Sequence, residues 1–303
     1  MVLELIQVFL EVVVPVFAIL GIGYWLAPRL RLDARTLSQV AWWVLVPAFT
    51  FHIISTSRIS GEAAARMAAF IVAAHLAPAA IAGLAARALG RSRELVAAWV
   101  MVAVFGNVGN FGLALVEFRF GPGAIVPATV YFVATMVVSF GVCVAIAATV
   151  RGEGVAGSLV SVLKTPALVV MVPAALLSAG NVEVPPVLGR TVGLLADAMV
   201  PIMLLVLGVQ LRETRIERIS GDVLSVSALR LVGGPILAAL LAVPFGLTGV
   251  ERATGIVQAS MPAAVLVSII AVEHRIAPGF VMTAIFFSTL CSLPTLTVVM
   301  SLL

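Results

Sequence analysis

Ten long apolar segments dominate this sequence and leave few fold classes open to it. They cover residues 6–27, 37–55, 64–86, 94–116, 124–149, 165–180, 188–211, 222–246, 252–272 and 279–302. Of the 303 residues, 62% are hydrophobic and 11% are charged, whereas a soluble domain has about 45–50% and about 25%. Because about 20 apolar residues cross a bilayer as a helix, we predict an all-α membrane protein with ten transmembrane helices, here called spans 1–10.

The composition and motifs exclude several functions. The net charge is +4, but the Arg residues cluster between the apolar segments, which indicates membrane topology and argues against a nucleic-acid partner. The sequence has no phosphate-binding loop, no zinc-protease motif and no paired-cysteine motif. Cys143 and Cys291 lie inside apolar spans, where cysteine is typically a small buried hydrophobic residue. We therefore predict no enzyme activity, no metal and no cofactor.

Basic residues in the loops predict the orientation. With the N-terminus outside the cell, the cytoplasmic loops hold twelve Arg and Lys residues and the outer loops hold five. This orientation places residues 151–164 in the cytoplasm. We expect a multi-pass protein of the cell's inner (plasma) membrane.

The two halves of the chain resemble each other. Val46-Pro47 in span 2 recurs as Val200-Pro201 in span 7, and both prolines are predicted to kink their helices. Five spans per half is an odd number, so the second half enters the membrane upside down. We predict that residues 1–150 and 165–303 form two inverted five-helix repeats joined by a cytoplasmic linker, residues 151–164.

Spans 4 and 9 carry residues that interrupt helices in lipid. These residues are Gly106, Asn107, Gly109, Asn110 and Gly112 in span 4, and Gln258, Ser260, Met261 and Pro262 in span 9. Breaks at corresponding places in both halves indicate a transporter's substrate site, because the restarted half-helices aim their positive ends at the gap. We predict that these nine residues bind a small organic anion, a mono- or dicarboxylate. The alternative for span 4 is close helix packing through its glycines.

Four ionisable residues inside the spans are candidates for a counter-charge or for ion coupling. Arg230 in span 8 and His75 in span 3 lie at similar depths. The alternatives are an Arg230 side chain that extends to the cytoplasmic interface and a structural, hydrogen-bonded His75. Asp197 is expected to cap the kink at Pro201 or to pair with Arg230, and Asp197 or Glu11 is a proton-coupling candidate if buried.

Several motifs resemble the auxin efflux carrier family, which includes bacterial malonate and malate carriers and the plant PIN-formed carriers. They are Gly106–Leu115, Thr165–Leu168, Ala198–Gly208, Leu229–Val232 with Pro235, and Met261–Ala263. The resemblance implies a scaffold of spans 1, 2, 6 and 7, a moving domain of spans 3–5 and 8–10, crossed broken helices 4 and 9, and a homodimer. Family members commonly have Pro where this chain has Ala114.

We therefore predict a secondary transporter in the lipid bilayer that moves a small organic anion by an elevator-type alternating-access cycle. Proton and sodium coupling both stay open. The alternatives are a sodium-coupled symporter of the bile-acid type, which shares the crossed-helix plan, and a passive channel. An intramembrane enzyme fits least, because no nucleophile and base stand together in the sequence.

Overall fold

The computed structural model describes residues 6–7, 9–56, 61–152, 166–213 and 216–303. Most of the predicted linker and the first residue of the motif Thr165–Leu168 lie outside the described residues. The helices are numbered after the spans, and a span in two pieces has halves a and b. They are α1 (Phe9–Leu30), α2 (Ala34–Thr56), α3 (Gly61–Ala88), α4a (Arg93–Val104), α4b (Val108–Gly112 continued by Leu113–Phe120), α5 (Pro122–Arg151), α6 (Pro166–Ala179), α7 (Pro186–Glu213), α8 (Gly221–Ala242), α9a (Gly249–Ala259), α9b (Leu266–Glu273) and α10 (Pro278–Ser301).

Among the described residues, seven helices are long and apolar enough to cross a membrane, namely α1, α2, α3, α5, α7, α8 and α10. The chain is therefore an all-helical, multi-pass membrane protein. Within the described residues the other three predicted spans have no single long helix, since spans 4 and 9 are divided and α6 has 14 residues. Apolar composition alone does not reveal the division of spans 4 and 9, which is predicted from the residues that interrupt their helices.

Three helices widen into a π-helical turn shortly before a proline. The turns are Phe9–Val13 before Pro15, Ala41–Leu45 before Pro47 and Leu229–Gly233 before Pro235. Proline has no N–H and its ring clashes with the preceding turn, so a wider turn accommodates it. The distortion expected at Pro47 takes this form. Pro201, by contrast, lies exposed within the unbroken helix α7, so the kink expected there is not accompanied by a break.

The helices pack in two groups. In the first group, α7 packs along α1 and α2, and α6 packs against α2. In the second group, α3 packs against α4a, α5 and α8, while α9a lies against α5 and α8, and α10 contacts α8 and α9b. The division coincides with the scaffold and moving domain that the family resemblance implies. Relative motion of the groups stays a prediction.

Glycines bring the backbones of α1 and α7 into direct contact. A Cβ atom added at Gly23 would overlap the carbonyl of Leu205, and one added at Gly208 would overlap the carbonyl of Leu20. Small residues allow this close approach between membrane helices, where packing and not hydrophobic burial drives association.

We predict opposite effects of alanine at two neighbouring glycines of α1. Gly23→Ala should lower the free energy of unfolding by about 1–3 kcal/mol, because the new methyl group meets the α7 backbone. Gly21→Ala is the matched control, since a Cβ there meets no atom within 4 Å and alanine favours helix. Thermal unfolding of the purified protein in detergent measures both, and equal effects would contradict the packing.

Candidate functional site

Both interrupted spans are unwound at the predicted stretches. Residues 105–107 separate α4a from α4b, and residues 260–265 separate α9a from α9b. The break in span 4 forms although Ala114 stands where the family commonly has proline. Ala114 lies seven residues past the end of this break, buried inside α4b. The break therefore depends on the glycines and Asn107 and needs no proline of its own.

The two unwound segments are hydrogen-bonded to each other. The backbone N–H of Asn107 donates to the Pro262 carbonyl at 2.7 Å. The N–H of Ala264 donates to the Phe105 carbonyl at 2.8 Å. Together they form an antiparallel bridge of the kind that joins β-strands. The pairing satisfies peptide groups that lipid cannot satisfy, and it fixes the two breaks side by side.

A cavity of about 800 Å³ lies between the two helix groups and reaches the break in span 4. Arg35, Glu213 and Glu273 line it at one end, where α2 begins and where α7 and α9b end. At the other end are Phe105, Gly106, Asn107, Gly109 and Asn110, which form what we call the cavity floor. The walls between are largely apolar and are formed in part by Trp42, Phe132, Met136, Phe140 and Met203.

The cavity floor offers hydrogen-bond donors. At the start of α4b, the backbone N–H groups of Gly109 and Asn110 have no protein acceptor in the described chain, and the same holds for Val265 and Leu266 at the start of α9b. All four residues line the cavity. The side-chain nitrogen of Asn107 is also buried without a partner among the described residues. Free N–H groups at helix N-termini attract negative charge.

The predicted substrate-site residues divide into two sets. Gly106, Asn107, Gly109 and Asn110 line the cavity. The other five are buried behind the floor and do not line it, namely Gly112, Gln258, Ser260, Met261 and Pro262. A Cβ at Gly112 would overlap the Gln258 side chain, so these two residues pack against each other. The Ser260 hydroxyl donates to the Ile256 carbonyl at 2.7 Å, within its own half-helix.

Sequence reasoning missed the residues of span 9 that do line the cavity. Ala264, Val265 and Leu266 contribute backbone groups, so their apolar side chains carry no signal of a polar site. The signal that could have found them is positional. Val265 and Leu266 stand where the helix restarts after Pro262, and the first N–H groups of a helix have no acceptor within it.

Arg230 is buried and contacts the backbone of both interrupted spans. Its Nε donates to the Met261 carbonyl at 2.8 Å, and its Nη1 donates to the Ala103 carbonyl at 2.9 Å. With 1% exposure it does not extend to the interface. It does not pair with Asp197 either, which lies exposed on α7. The sequence indicates how far along a span Arg230 lies, but it does not indicate which residues the side chain contacts.

The other ionisable candidates lie apart from the cavity. His75 is buried, and its ring nitrogens contact the Ile71 carbonyl at 2.8 Å and the Thr135 hydroxyl at 3.2 Å. This fits the structural alternative for His75. Glu11 is exposed and accepts a hydrogen bond from Gln7 at 3.1 Å. Neither Glu11 nor Asp197 is buried, so the condition for a proton-coupling role is not met.

We predict that a methyl group at position 106 disturbs the bridge. A Cβ at Gly106 would overlap Nη2 of Arg230, so Gly106→Ala should lower the free energy of unfolding by about 1–3 kcal/mol. Gly123→Ala is the control, because a Cβ at Gly123 meets no atom within 4 Å. Thermal unfolding compares the two variants. Equal stability would contradict the close contact between Gly106 and the guanidinium group.

Comparison with known proteins gives one family. The family model described as "Membrane transport protein" matches residues 8–156 and 154–300. An uncharacterized transporter of Methanothermobacter thermautotrophicus is 32% identical over 108 residues, 36% of each chain. Probable auxin efflux carrier component 1b of Oryza sativa subsp. japonica is 30% identical over 116 residues, 38% of this chain and 21% of the relative. Auxin efflux carrier component 1 of Arabidopsis thaliana is 28% identical over 116 residues, 38% and 19% of the two chains. Each alignment spans well under two thirds of the relative.

Proposed function

The chain belongs to the family of membrane transport proteins that includes the auxin efflux carriers, and we propose that it is a secondary transporter of a small organic anion. The substrate class is a mono- or dicarboxylate. The observation that carries the proposal is that four residues at the starts of α4b and α9b line one cavity and have backbone N–H groups without an acceptor among the described residues. A carboxylate accepts several such hydrogen bonds at once.

Charge around the cavity supports an anion at the floor. Among the described lining residues, the carboxylates are Glu213 and Glu273, both exposed at the opposite end. Behind the floor, the buried Arg230 guanidinium lies against Gly106. The floor therefore combines two helix N-termini with a nearby positive charge, and negative side chains lie away from it.

The walls of the cavity fit the carbon skeleton of an organic anion. Small-molecule sites are typically about 300–1,000 Å³, lined by apolar side chains with a few polar groups that orient the ligand. The cavity's volume of about 800 Å³ falls in this range, and aromatic residues such as Trp42, Phe132 and Phe140 line it. We propose that the carboxylate binds at the floor and that the apolar part of the substrate contacts these walls.

We propose that the two helix groups move relative to each other in an elevator-type cycle. Supporting this, the cavity lies at their boundary, and its floor belongs to the group of α3–α5 and α8–α10. Two inverted repeats with crossed helices are supported by the position of the breaks, since spans 4 and 9, the fourth of each half, are both divided and pair with each other at the division. The family model also matches two segments that meet at residues 154–156, inside the predicted linker.

The same proposal includes the membrane location. With the orientation expected from the basic loops, the end of the cavity at Arg35, Glu213 and Glu273 opens to the cytoplasm of a cell with the protein in its inner membrane. A homodimer through the group of α1, α2, α6 and α7 would leave the other group free to move.

The direct test is uptake of labelled mono- and dicarboxylates into proteoliposomes. We expect saturable uptake that is accelerated by unlabelled substrate inside the vesicle, which is the behaviour of a carrier. Non-saturable flux without counterflow would indicate the channel alternative. An absolute requirement for sodium would indicate the symporter of the bile-acid type. Absence of flux for all carboxylates would reject the substrate class.

We predict that a negative charge at the floor weakens anion binding. Asn110→Asp should raise KM for a carboxylate by about tenfold or more, because like charges in a partly buried site repel by more than about 1 kcal/mol. Gln39→Glu is the matched control, since it makes the same charge change at an exposed lining residue of α2. Initial uptake rates measure both. A similar KM in the two variants would place the carboxylate elsewhere.

A further inference from the structure

Arg230 binds the ends of two half-helices that belong to different halves of the chain. Ala103, which accepts from Nη1, lies in the last turn of α4a. Met261, which accepts from Nε, follows the end of α9a. The C-terminal end of a helix carries a partial negative charge and free carbonyl groups. Two such ends meet here in the protein interior, and one guanidinium group contacts both.

The surrounding backbone provides the space that this arrangement needs. Arg230 lies in the π-helical turn Leu229–Gly233 of α8. A Cβ at Gly234 would lie 2.7 Å from the carbonyl oxygen of Ala259, so the glycine allows α8 to approach the end of α9a. At Gly106 the absence of a side chain leaves room for Nη2. Gly106, Gly234 and the π-helical turn thus together make room for the Arg230 side chain.

The charge of Arg230 is not neutralised by a carboxylate within the described residues. The ion pairs there are Arg66–Glu251 and Arg91–Asp222, both on partly exposed side chains. Nη2 of Arg230 has no hydrogen-bond partner in the same part of the chain and lies against Gly106, a residue of the cavity floor. A buried charge in this state is costly unless dipoles stabilise it. Because Nη2 lies against Gly106, the electric field of the Arg230 charge reaches the cavity floor.

We propose that Arg230 is a tethered cation that sets the geometry and the charge of the substrate site. By binding the Ala103 and Met261 carbonyls, it holds the ends of α4a and α9a together. The half-helices that restart beyond the two breaks then aim their N–H groups at one point. Arg230 itself does not touch the substrate, because Gly106 stands between them, so it is a positioning residue. The effect on the substrate rests on the proposed function, whereas the effect on the two helix ends does not.

The first experiment distinguishes an effect of the Arg230 charge on substrate binding from an effect on folding. In proteoliposomes, Arg230→Gln should raise KM for a carboxylate by about tenfold, whereas Arg230→Lys, which keeps the charge but loses the planar fork that binds both carbonyl groups, should raise KM by less. A purely structural role predicts less active protein with unchanged KM. Unchanged KM in the glutamine variant would overturn the proposal.

The second experiment uses chemical rescue and needs no transport. Arg230→Ala should lower the unfolding temperature of the detergent-purified protein by several degrees, and millimolar guanidinium chloride should restore at least half of the loss, whereas choline chloride should not. Arg66→Ala is the matched control, because Arg66 forms an exposed ion pair with Glu251 and leaves no enclosed site. Rescue that is absent, or equal in the control, would overturn the proposal.

Two provisions keep the outcomes distinct. If Arg230→Ala does not fold, the rescue is measured on Arg230→Gln, in which guanidinium should raise the unfolding temperature and choline should not. No rise in that variant would again count against the tethered cation. If the wild type transports no carboxylate, the proposed function fails, but the unfolding temperatures still decide whether a guanidinium group holds the two helix ends.

Discussion

A backbone that leaves the helix deep inside a membrane protein must find new hydrogen-bond partners, and this constraint organises the whole site. Here the two unwound segments supply them to each other through the bonds Asn107–Pro262 and Ala264–Phe105. Because each break satisfies the other, neither could exist alone at this depth without exposing peptide groups. The antiparallel bridge is therefore what permits four half-helices to end near the bottom of one cavity.

At the two breaks, the hydrogen-bond donors and the hydrogen-bond acceptors have different surroundings. The residues at the starts of α4b and α9b line the cavity and have N–H groups without an acceptor among the described residues, whereas the carbonyl groups of Ala103 and Met261, near the ends of α4a and α9a, accept from Arg230. The donors thus lack a protein partner among the described residues, and the acceptors are occupied by the guanidinium group. The direction of the peptide dipole is the physical basis of the proposed preference for an anion.

Much of the fold and part of the site could be predicted from the sequence. Apolar segments of sufficient length identify membrane helices, and Asn107 with its flanking glycines and Pro262 mark the breaks, because these residues disfavour helix locally. The hydrogen-bond partners of Arg230 could not be predicted, since they depend on which helix ends lie close together in the folded protein. Val265 and Leu266 escaped notice because they contribute only backbone groups. Asp197 and Glu11 show that a carboxylate within an apolar segment can still lie on the surface.

The contact between Gly106 and Arg230 links the evolution of two positions that are far apart in the chain. As long as arginine occupies position 230, any side chain at position 106 collides with its guanidinium group. A substitution at position 106 is expected to cost less stability after the arginine has been replaced by a smaller residue, so one order of the two mutations is favoured. Homologues should accordingly co-vary at this pair, and a lineage that exchanged both residues would have acquired a different charge beneath the same cavity.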